Sequence, residues 1–244
     1  MLAIHGVFKN KKVLGLIPAR GASKRLPRKN LRQINGKPLI YWSIAGAQES
    51  KYIDSVVVST EDIEIKQYSY NQGIDCVIDR PPGLAQDESR SIDVILHAVD
   101  VLAKQGKKYE YVMLLQPTSP LRTSKHIDDA LKLMSAKKAT VVVSVCETEH
   151  PVSWMGNLSK DLMMDEFLDN LTTDLSNDDD RVSYQINGAI YLAKTSTLIT
   201  EKTFFPTPGA YAHIMERSDS IDIDTELDLD YASYLMTRRA RKFT

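Results

Sequence analysis

Val13-Leu14-Gly15-Leu16-Ile17, followed directly by Pro18-Ala19-Arg20-Gly21-Ala22-Ser23-Lys24-Arg25-Leu26-Pro27-Arg28-Lys29-Asn30, is the stretch on which the reading of this chain turns. The apolar run reads as a buried strand. It empties into a loop that packs Arg20, Lys24, Arg25, Arg28 and Lys29 among small and turn-forming residues. Backbone N–H groups of such a loop are donors and its cations neutralise oxyanions, which makes a phosphate cradle. A solvated basic turn has the same composition. Position separates the two, because the loop follows the first strand of an α/β pattern, where such folds bind ligands.

Outward from that loop, strands and helices alternate. Helices are expected over 39–49, 62–71, 91–104 and 125–136, and strands over 55–59, 75–78, 111–115 and 140–145. Ile92, Ile95, Leu96, Val99 and Leu102 share one helical face. This rhythm predicts a largely parallel sheet covered by helices. It breaks at 147–180, an irregular stretch with Trp154, Met163, Met164 and Phe167 among acids. Such a scatter reads as a partly disordered loop or as an insertion packing on another subunit, and the second is favoured because such side chains are costly to expose and typical of interfaces. Asp178-Asp179-Asp180 within it reads as a solvated turn. Strands return over 182–193, interrupted at Asn187-Gly188, and over 211–215. Thr225 then caps a final helix with Asp228 in its first turn. Arg238, Arg239, Arg241 and Lys242 sit near its end, where they suit the dipole.

With 244 residues, 43% hydrophobic and 26% charged, the chain has the composition of a globular α/β protein with a sizeable core. Its net charge of -1 provides no global attraction to nucleic acid or membranes, so anion binding must come from local clusters. Cys76 and Cys146 read as buried thiols in a reducing compartment. Neither a signal peptide nor a membrane-length apolar run is evident, and a cytoplasmic location is expected.

Ser220-Ile221-Asp222-Ile223-Asp224 is a second chemical feature. On an extended segment Asp222 and Asp224 share one face while Ile221 and Ile223 point to the core. Paired carboxylates repel unless a cation lies between them, and oxygen ligands of this kind suit Mg²⁺ or Mn²⁺. Capping of the following helix is the plainer alternative. Gln116-Pro117-Thr118-Ser119-Pro120-Leu121-Arg122-Thr123 closes the strand at 111–115, at the end that faces the ligand crevice of a parallel sheet. Its side chains suit a sugar or a turn equally. Asn187-Gly188 reads as a bulge, a close backbone approach, or a hairpin turn. Arg80 is a cation at a strand end. Ser89 and Ser91 stand at a helix start, as oxyanion donors or as caps. No histidine pairs visibly with a nucleophile, which leaves acyl chemistry unsupported.

In order along the chain, the segments Ile17–Gly21 through Arg28–Leu31, Leu115–Arg122, Asn187–Tyr191 and Ser220–Thr225 resemble the acylneuraminate cytidylyltransferases, or CMP-sialic acid synthetases. The resemblance implies a three-layer α/β fold of nucleotide-diphospho-sugar transferase type, with a mostly parallel, mixed sheet. One nucleotidyltransferase domain would span residues 1–244, with an inserted dimerisation segment at 147–180. By similarity, Arg20, Gly21, Ser23, Lys29 and Asn30 would hold the CTP triphosphate and the backbone near Ala19 would read cytosine. Arg80, Ser89 and Ser91 would complete the nucleotide site. Gln116, Thr118, Ser119, Tyr184, Asn187 and Gly188 would face the sugar. Asp222 and Asp224 would hold Mg²⁺ (or Mn²⁺), and Lys29, Arg20 and both aspartates would carry catalysis.

The implied reaction is attack of the anomeric hydroxyl of a nonulosonic acid on the α-phosphorus of CTP. Members that use N-acetylneuraminate usually carry basic residues before the Asn-Gly segment. Here Gln185 stands there and only Arg181 is basic nearby, so legionaminic and pseudaminic acids stay open beside N-acetylneuraminic acid. Ala22 replaces a common second glycine. The alternatives are a cytidylyltransferase for the eight-carbon acid Kdo, a non-catalytic nucleotide-binding homologue, and a metal-dependent glycosyltransferase.

Overall fold

The apolar run of the opening loop motif forms β1 (Val13–Pro18), whose Val13, Leu14, Leu16 and Ile17 are entirely buried. The structure is a computed structural model that describes residues 11–86, 89–165, 167–168 and 182–241. After β1 come β2 (Gln33–Ile34), β3 (Lys37–Pro38), α1 (Leu39–Gln48), β4 (Ser55–Thr60), α2 (Ile63–Asn71) and β5 (Cys76–Asp79). Next are α3 (Ser91–Lys104), β6 (Tyr111–Leu114), α4 (Ser124–Lys137) and β7 (Val141–Glu147). The last elements are β8 (Tyr184–Lys194), α5 (Thr195–Glu201), β9 (Ala210–Ile214) and α6 (Glu226–Arg241).

Seven strands form one sheet in the order β5-β4-β1-β6-β8-β7-β9. Pairing is parallel throughout except at β8, which runs antiparallel to both β6 and β7. The sheet is thus mixed and mostly parallel, with a core on each face. On one face Ile40 and Ile44 of α1, Ile65 of α2 and Leu131 of α4 pack on Ile17, Val58 and Met113. On the other, Ile92, Ile95 and Leu102 of α3 and Leu198 of α5 pack on Leu14, Leu16 and Leu114.

The expected elements form, with ends displaced by a few residues. Asp62 is the cap of α2 rather than its first residue, accepting from Glu64 N and Ile65 N at 3.0 Å each. Thr123 and His126 form a reciprocal capping box on α4. Asp228 Oδ2 accepts from Thr225 N at 2.7 Å and Thr225 Oγ1 at 2.8 Å, closing the start of α6. The β2–β3 hairpin and α5 were not anticipated. The first is two residues per strand around Asn35-Gly36, too short to leave a period-2 pattern. Arg239 is more than a helix-end charge: it pairs with Asp219 and donates to Ser218 O at 2.8 Å.

Asn187-Gly188 marks a bulge inside one strand, not a hairpin. Between the pairs Val143↔Tyr191 and Val145↔Ile186 the β8 side carries three extra residues, with Gly188 at φ 75°. Ser144 fills the gap, donating to Asn187 Oδ1 at 2.5 Å and accepting from Ile190 N at 2.7 Å. In the described part of 147–180, Trp154, Met155, Leu158, Leu162 and Met163 are all exposed, Leu162 by 71%. Asp178-Asp179-Asp180, Arg181 and Lys242 lie outside the described residues. No helix of the described residues is long and apolar enough to cross a membrane.

Candidate active site

The carboxyl ends of β1, β4, β5 and β6 open on one side of the sheet, and the cationic loop is tied across them. Ala19 N continues the β1–β4 ladder onto Ser59 O at 3.0 Å. Its N–H is thereby satisfied inside the fold. Gly21 N donates to Glu61 Oε1 at 2.7 Å. A side chain at Gly21 would place Cβ 2.9 Å from Asp62 Cβ, so only glycine fits against the start of α2. Asn30 is buried and donates to Arg20 O at 2.8 Å, bracing the loop from within.

The loop cations divide by partner. Arg28, at φ 57°, turns away to pair with Asp62 and, at 2.9 Å, with Glu64. Burial pushes the Asp62 carboxyl up, but Arg28 and the helix amides outweigh it and hold it below its ordinary range. Lys29 Nζ donates to Ile223 O at 3.0 Å and to Asp224 Oδ1 at 2.9 Å. Arg25 reaches the other oxygen of Asp224 at 2.7 Å.

Hydrophobic packing produces that meeting. Ile223 is fully buried in a third cluster with Leu26 of the loop, Ile34, Leu39 and Leu121, beneath Leu229 and Leu235 of α6. The alternation Ile221-Asp222-Ile223-Asp224 therefore turns the isoleucines inward, on irregular backbone outside the sheet; neither carboxylate lines the cleft described below, and Asp224 meets its wall through Lys29. Ile223 N donates to Thr118 O at 2.8 Å, fixing this segment to the loop after β6. Asp222 is exposed as a residue, yet protein crowds its carboxyl. That crowding, with the Asp224 charge, raises its pKa against the pull of Thr118 and Lys29.

A cleft of about 240 Å³ lies between these parts. The loop contributes Arg20, Ser23, Lys29 and Asn30 to its walls, and the segment after β5 contributes Arg80. Ser89 and Ser91 come from the start of α3, and Gln116 and Thr118 from the end of β6. Arg80 is buried, and its Nη2 donates to Ser59 O at 2.6 Å. Burial lowers its pKa; Glu61 opposes the shift and Arg20 adds to it. Ser89 donates to Gly83 O at 3.0 Å, and Ser91 is the first residue of α3, where Arg90 is the cap.

A second chamber of about 320 Å³ shares Ser91 and Gln116 with the first. Tyr191, Phe204 and Phe205 line it, with Arg90 and Lys202. The Tyr191 and Phe204 rings stand 5.3 Å apart. These residues escaped the sequence reading, although adjacent aromatics in a polar turn are a signal. Gly188 meets this partition from β8: a Cβ there would lie 3.0 Å from Gln116 Oε1 and 3.9 Å from Asp222 Cγ.

Four residues expected at the sugar, Ser119, Tyr184, Asn187 and Gly188, line neither chamber. Ser119 is fully buried. Asn187 turns its carboxamide inward, donating to Ser220 Oγ at 2.8 Å. Tyr184 stands at the far end of β8 opposite Glu147 and is 46% exposed. Ser119 and Asn187 thus shape the site from behind.

Two carboxylates near a cleft lined with cations and hydroxyls would suit a hard divalent cation that keeps water and phosphate in its shell. Among the described residues no cluster of three or more metal-ligating side chains occurs. Asp222 and Asp224 fit an ion delivered with a triphosphate rather than a cage made by protein alone.

A cytidylyltransferase family model matches residues 14–232. The chain is 34% identical over 234 residues to the N-acylneuraminate cytidylyltransferase of Escherichia coli, covering 95% of this chain and 54% of that protein. It is 34% identical to the CMP-N,N'-diacetyllegionaminic acid synthase of Legionella pneumophila, covering 92% and 96%. It is 32% identical to a pseudaminic acid cytidylyltransferase of Campylobacter jejuni, again covering 92% and 96%. The chain therefore spans about half of the first relative and nearly all of the other two. In fold it is similar to a CTP-bound CMP:2-keto-3-deoxy-manno-octonic acid synthetase, with TM-score 0.69 and 17% identity over 93% of this chain and 99% of that one. It is also similar to the 4-diphosphocytidyl-2C-methyl-D-erythritol synthase of Anaerococcus prevotii, with TM-score 0.65 and 11% identity over 95% and 98%. A nucleotidyltransferase fold, a cationic loop meeting a carboxylate pair, and a family match from residue 14 to residue 232 lead to one conclusion: the chain belongs to the cytidylyltransferase family.

Proposed function

We propose that this protein transfers CMP from CTP to the anomeric hydroxyl of a nonulosonic acid, giving a CMP-sugar and pyrophosphate. The observation that carries the reading is the contact of Lys29 with Asp224 at 2.9 Å, which joins the loop and the late carboxylates at the edge of one cleft. The relatives support the sugar class, since they act on N-acylneuraminic, legionaminic or pseudaminic acids.

In this reading the first cleft takes the nucleotide. Arg20 and Lys29 offset the triphosphate charge, and Arg80, Ser89 and Ser91 bound the nucleoside side. The second chamber takes the sugar acid. Its aromatic wall of Tyr191, Phe204 and Phe205 packs on the apolar substituents, and Lys202 and Arg90 supply the cations that the segment before Asn187 lacks. Gln116 stands at the junction, where the anomeric oxygen approaches. The new bond forms between that oxygen and the α-phosphorus, and the bond from the α-phosphorus to the pyrophosphate oxygen breaks. The hydroxyl proton passes to water. Charge grows on the departing pyrophosphate, where Lys29 and Arg20 stabilise it. Asp222 and Asp224 would hold Mg²⁺ (or Mn²⁺), which when bound supplies further neutralisation of phosphate charge. The protein would act in the cytoplasm, consistent with two free cysteines, and as a homodimer joined through the exposed apolar side chains of 147–180.

A substrate panel tests the assignment. CTP is incubated with N-acetylneuraminic, legionaminic and pseudaminic acids and with Kdo, and pyrophosphate release is followed. Turnover with one of the three nonulosonic acids is expected. Turnover with Kdo alone, or none with any acid, overturns the reading.

A further inference from the structure

Arg122 ends the segment Gln116–Arg122 but lines neither chamber of the site. It is 2% exposed, and no described carboxylate pairs with it; burial alone drives its guanidinium down to about 9. An uncompensated buried cation destabilises a fold, and an apolar residue of the same size fills space better. Its contacts show what the charge does. Nη1 donates to Gln116 O at 3.1 Å and to Ala189 O at 2.7 Å. Nη2 donates to Ser43 Oγ at 2.5 Å, and Ser43 Oγ donates in turn to Gln116 O at 3.2 Å.

The two carbonyls belong to strands that have just parted. The antiparallel ladder of β6 and β8 stops at Leu114↔Tyr191. Continued by two residues, that register would set Gln116 opposite Ala189. There the guanidinium enters the open end of the ladder and bonds both chains. The residues it fixes form the partition between the chambers: Gln116 lines both, and Gly188, next to Ala189, abuts the Gln116 side chain.

We propose that Arg122 is a positioning residue for the transfer reaction, a cationic wedge that sets Gln116 and Gly188, and hence the separation of sugar hydroxyl from nucleotide phosphorus. The inference rests on the function proposed above. An error of about 1 Å in such a separation costs on the order of 100-fold in rate. Arg122→Lys keeps the charge but cannot span two carbonyls and Ser43 at once.

The test is steady-state kinetics of wild type, Arg122→Lys and Ser43→Ala, alongside CTP titration by calorimetry and thermal unfolding. For Arg122→Lys, kcat is expected to fall ~10- to 100-fold and KM for the sugar acid to rise, while CTP affinity stays within about threefold. Ser43→Ala, which removes one arm of the network and keeps Arg122, should show the same split, a few-fold in size. Should Arg122→Lys fail to fold, Ser43→Ala decides alone. Wild-type kinetics in the variants, or equal losses for both substrates that follow the unfolded fraction, would refute the positioning role and leave the function standing. Failure of wild type itself with every acid sinks both.

Discussion

Lys29 and Asp224, 195 positions apart, bond to each other, and the function proposed above would give each another task. In that reading the lysine would meet phosphate and the aspartate a divalent ion, so the nucleotide–metal pair would have to divide an existing ion pair. Both groups are partly exposed, and their coupling in stability should be on the order of 0.5–1 kcal/mol. Urea unfolding of wild type, Lys29→Met, Asp224→Asn and the double variant should show that coupling without ligand and lose it with saturating Mg²⁺ and CTP. A coupling that persists in the complex would mean the pair is never divided. Among the described residues Asp222 has no ion pair, and its carboxyl bonds with Thr118. Replacing it with asparagine should lower kcat by about 100-fold or more while CTP affinity is kept within a few-fold. Unchanged turnover would remove Asp222 from the mechanism.

Elements meet at this site because of apolar side chains that bind nothing. Ile223, in the carboxylate segment, and Leu26, in the cationic loop, share a cluster roofed by α6. Ile223→Ala should cost about 2–4 kcal/mol of stability, by transfer and cavity terms together. Denaturant unfolding measures that cost; CTP affinity should also fall, since the loop loses its seat. Removing the α6 cap with Thr225→Ala, which leaves the Asp228 bond to Asp224 N at 3.0 Å in place, should cost roughly 1 kcal/mol by the same measurement, with a smaller effect on affinity. Equal effects of the two on CTP binding would show that helix stability, not loop seating, governs the site.

Across the whole molecule, α4 and β9 press two imidazoles together at the far end of the sheet. The His126 and His213 rings are 6.5 Å apart, and burial holds both near a pKa of about 4. Lys125 disfavours the charged form of both, and Arg239 that of His126, while Asp129 favours it. An unfolded chain binds protons at both imidazoles near pH 6.5, so it is the more protonated state between about pH 6.5 and 4. Stability is therefore complete above that window and falls as pH drops through it, on the order of 2 kcal/mol per imidazole. Denaturation midpoints at pH 7 and pH 5 should differ accordingly, and His213→Phe should shrink the difference. The exposed side chains of 147–180 pose a question at the same scale. Trp154→Glu with Met163→Glu should convert a dimer to a monomer in sedimentation velocity; a wild-type monomer at micromolar concentration would remove the proposed interface.

Local pattern determined much of this protein. Uninterrupted apolar runs have one low-energy fate in an α/β chain, so β1, β4, β6 and β7 were legible, as were the caps at Thr123 and Thr225. Period-2 alternation told which side of 220–224 faces inward. The cationic loop was legible as a wall of the cleft because composition and position agree. Pattern could not reveal partners remote in sequence. That Arg28 is withdrawn to Asp62 while Lys29 meets Asp224, that Asn187 turns inward to Ser144 and Ser220, and that Phe204 and Phe205 wall a second chamber all depend on which segments come to lie side by side. Sequence sets the local conformations and the solvent-averse faces; burying those faces against one another chooses the neighbours, and in this fold the neighbours make the site.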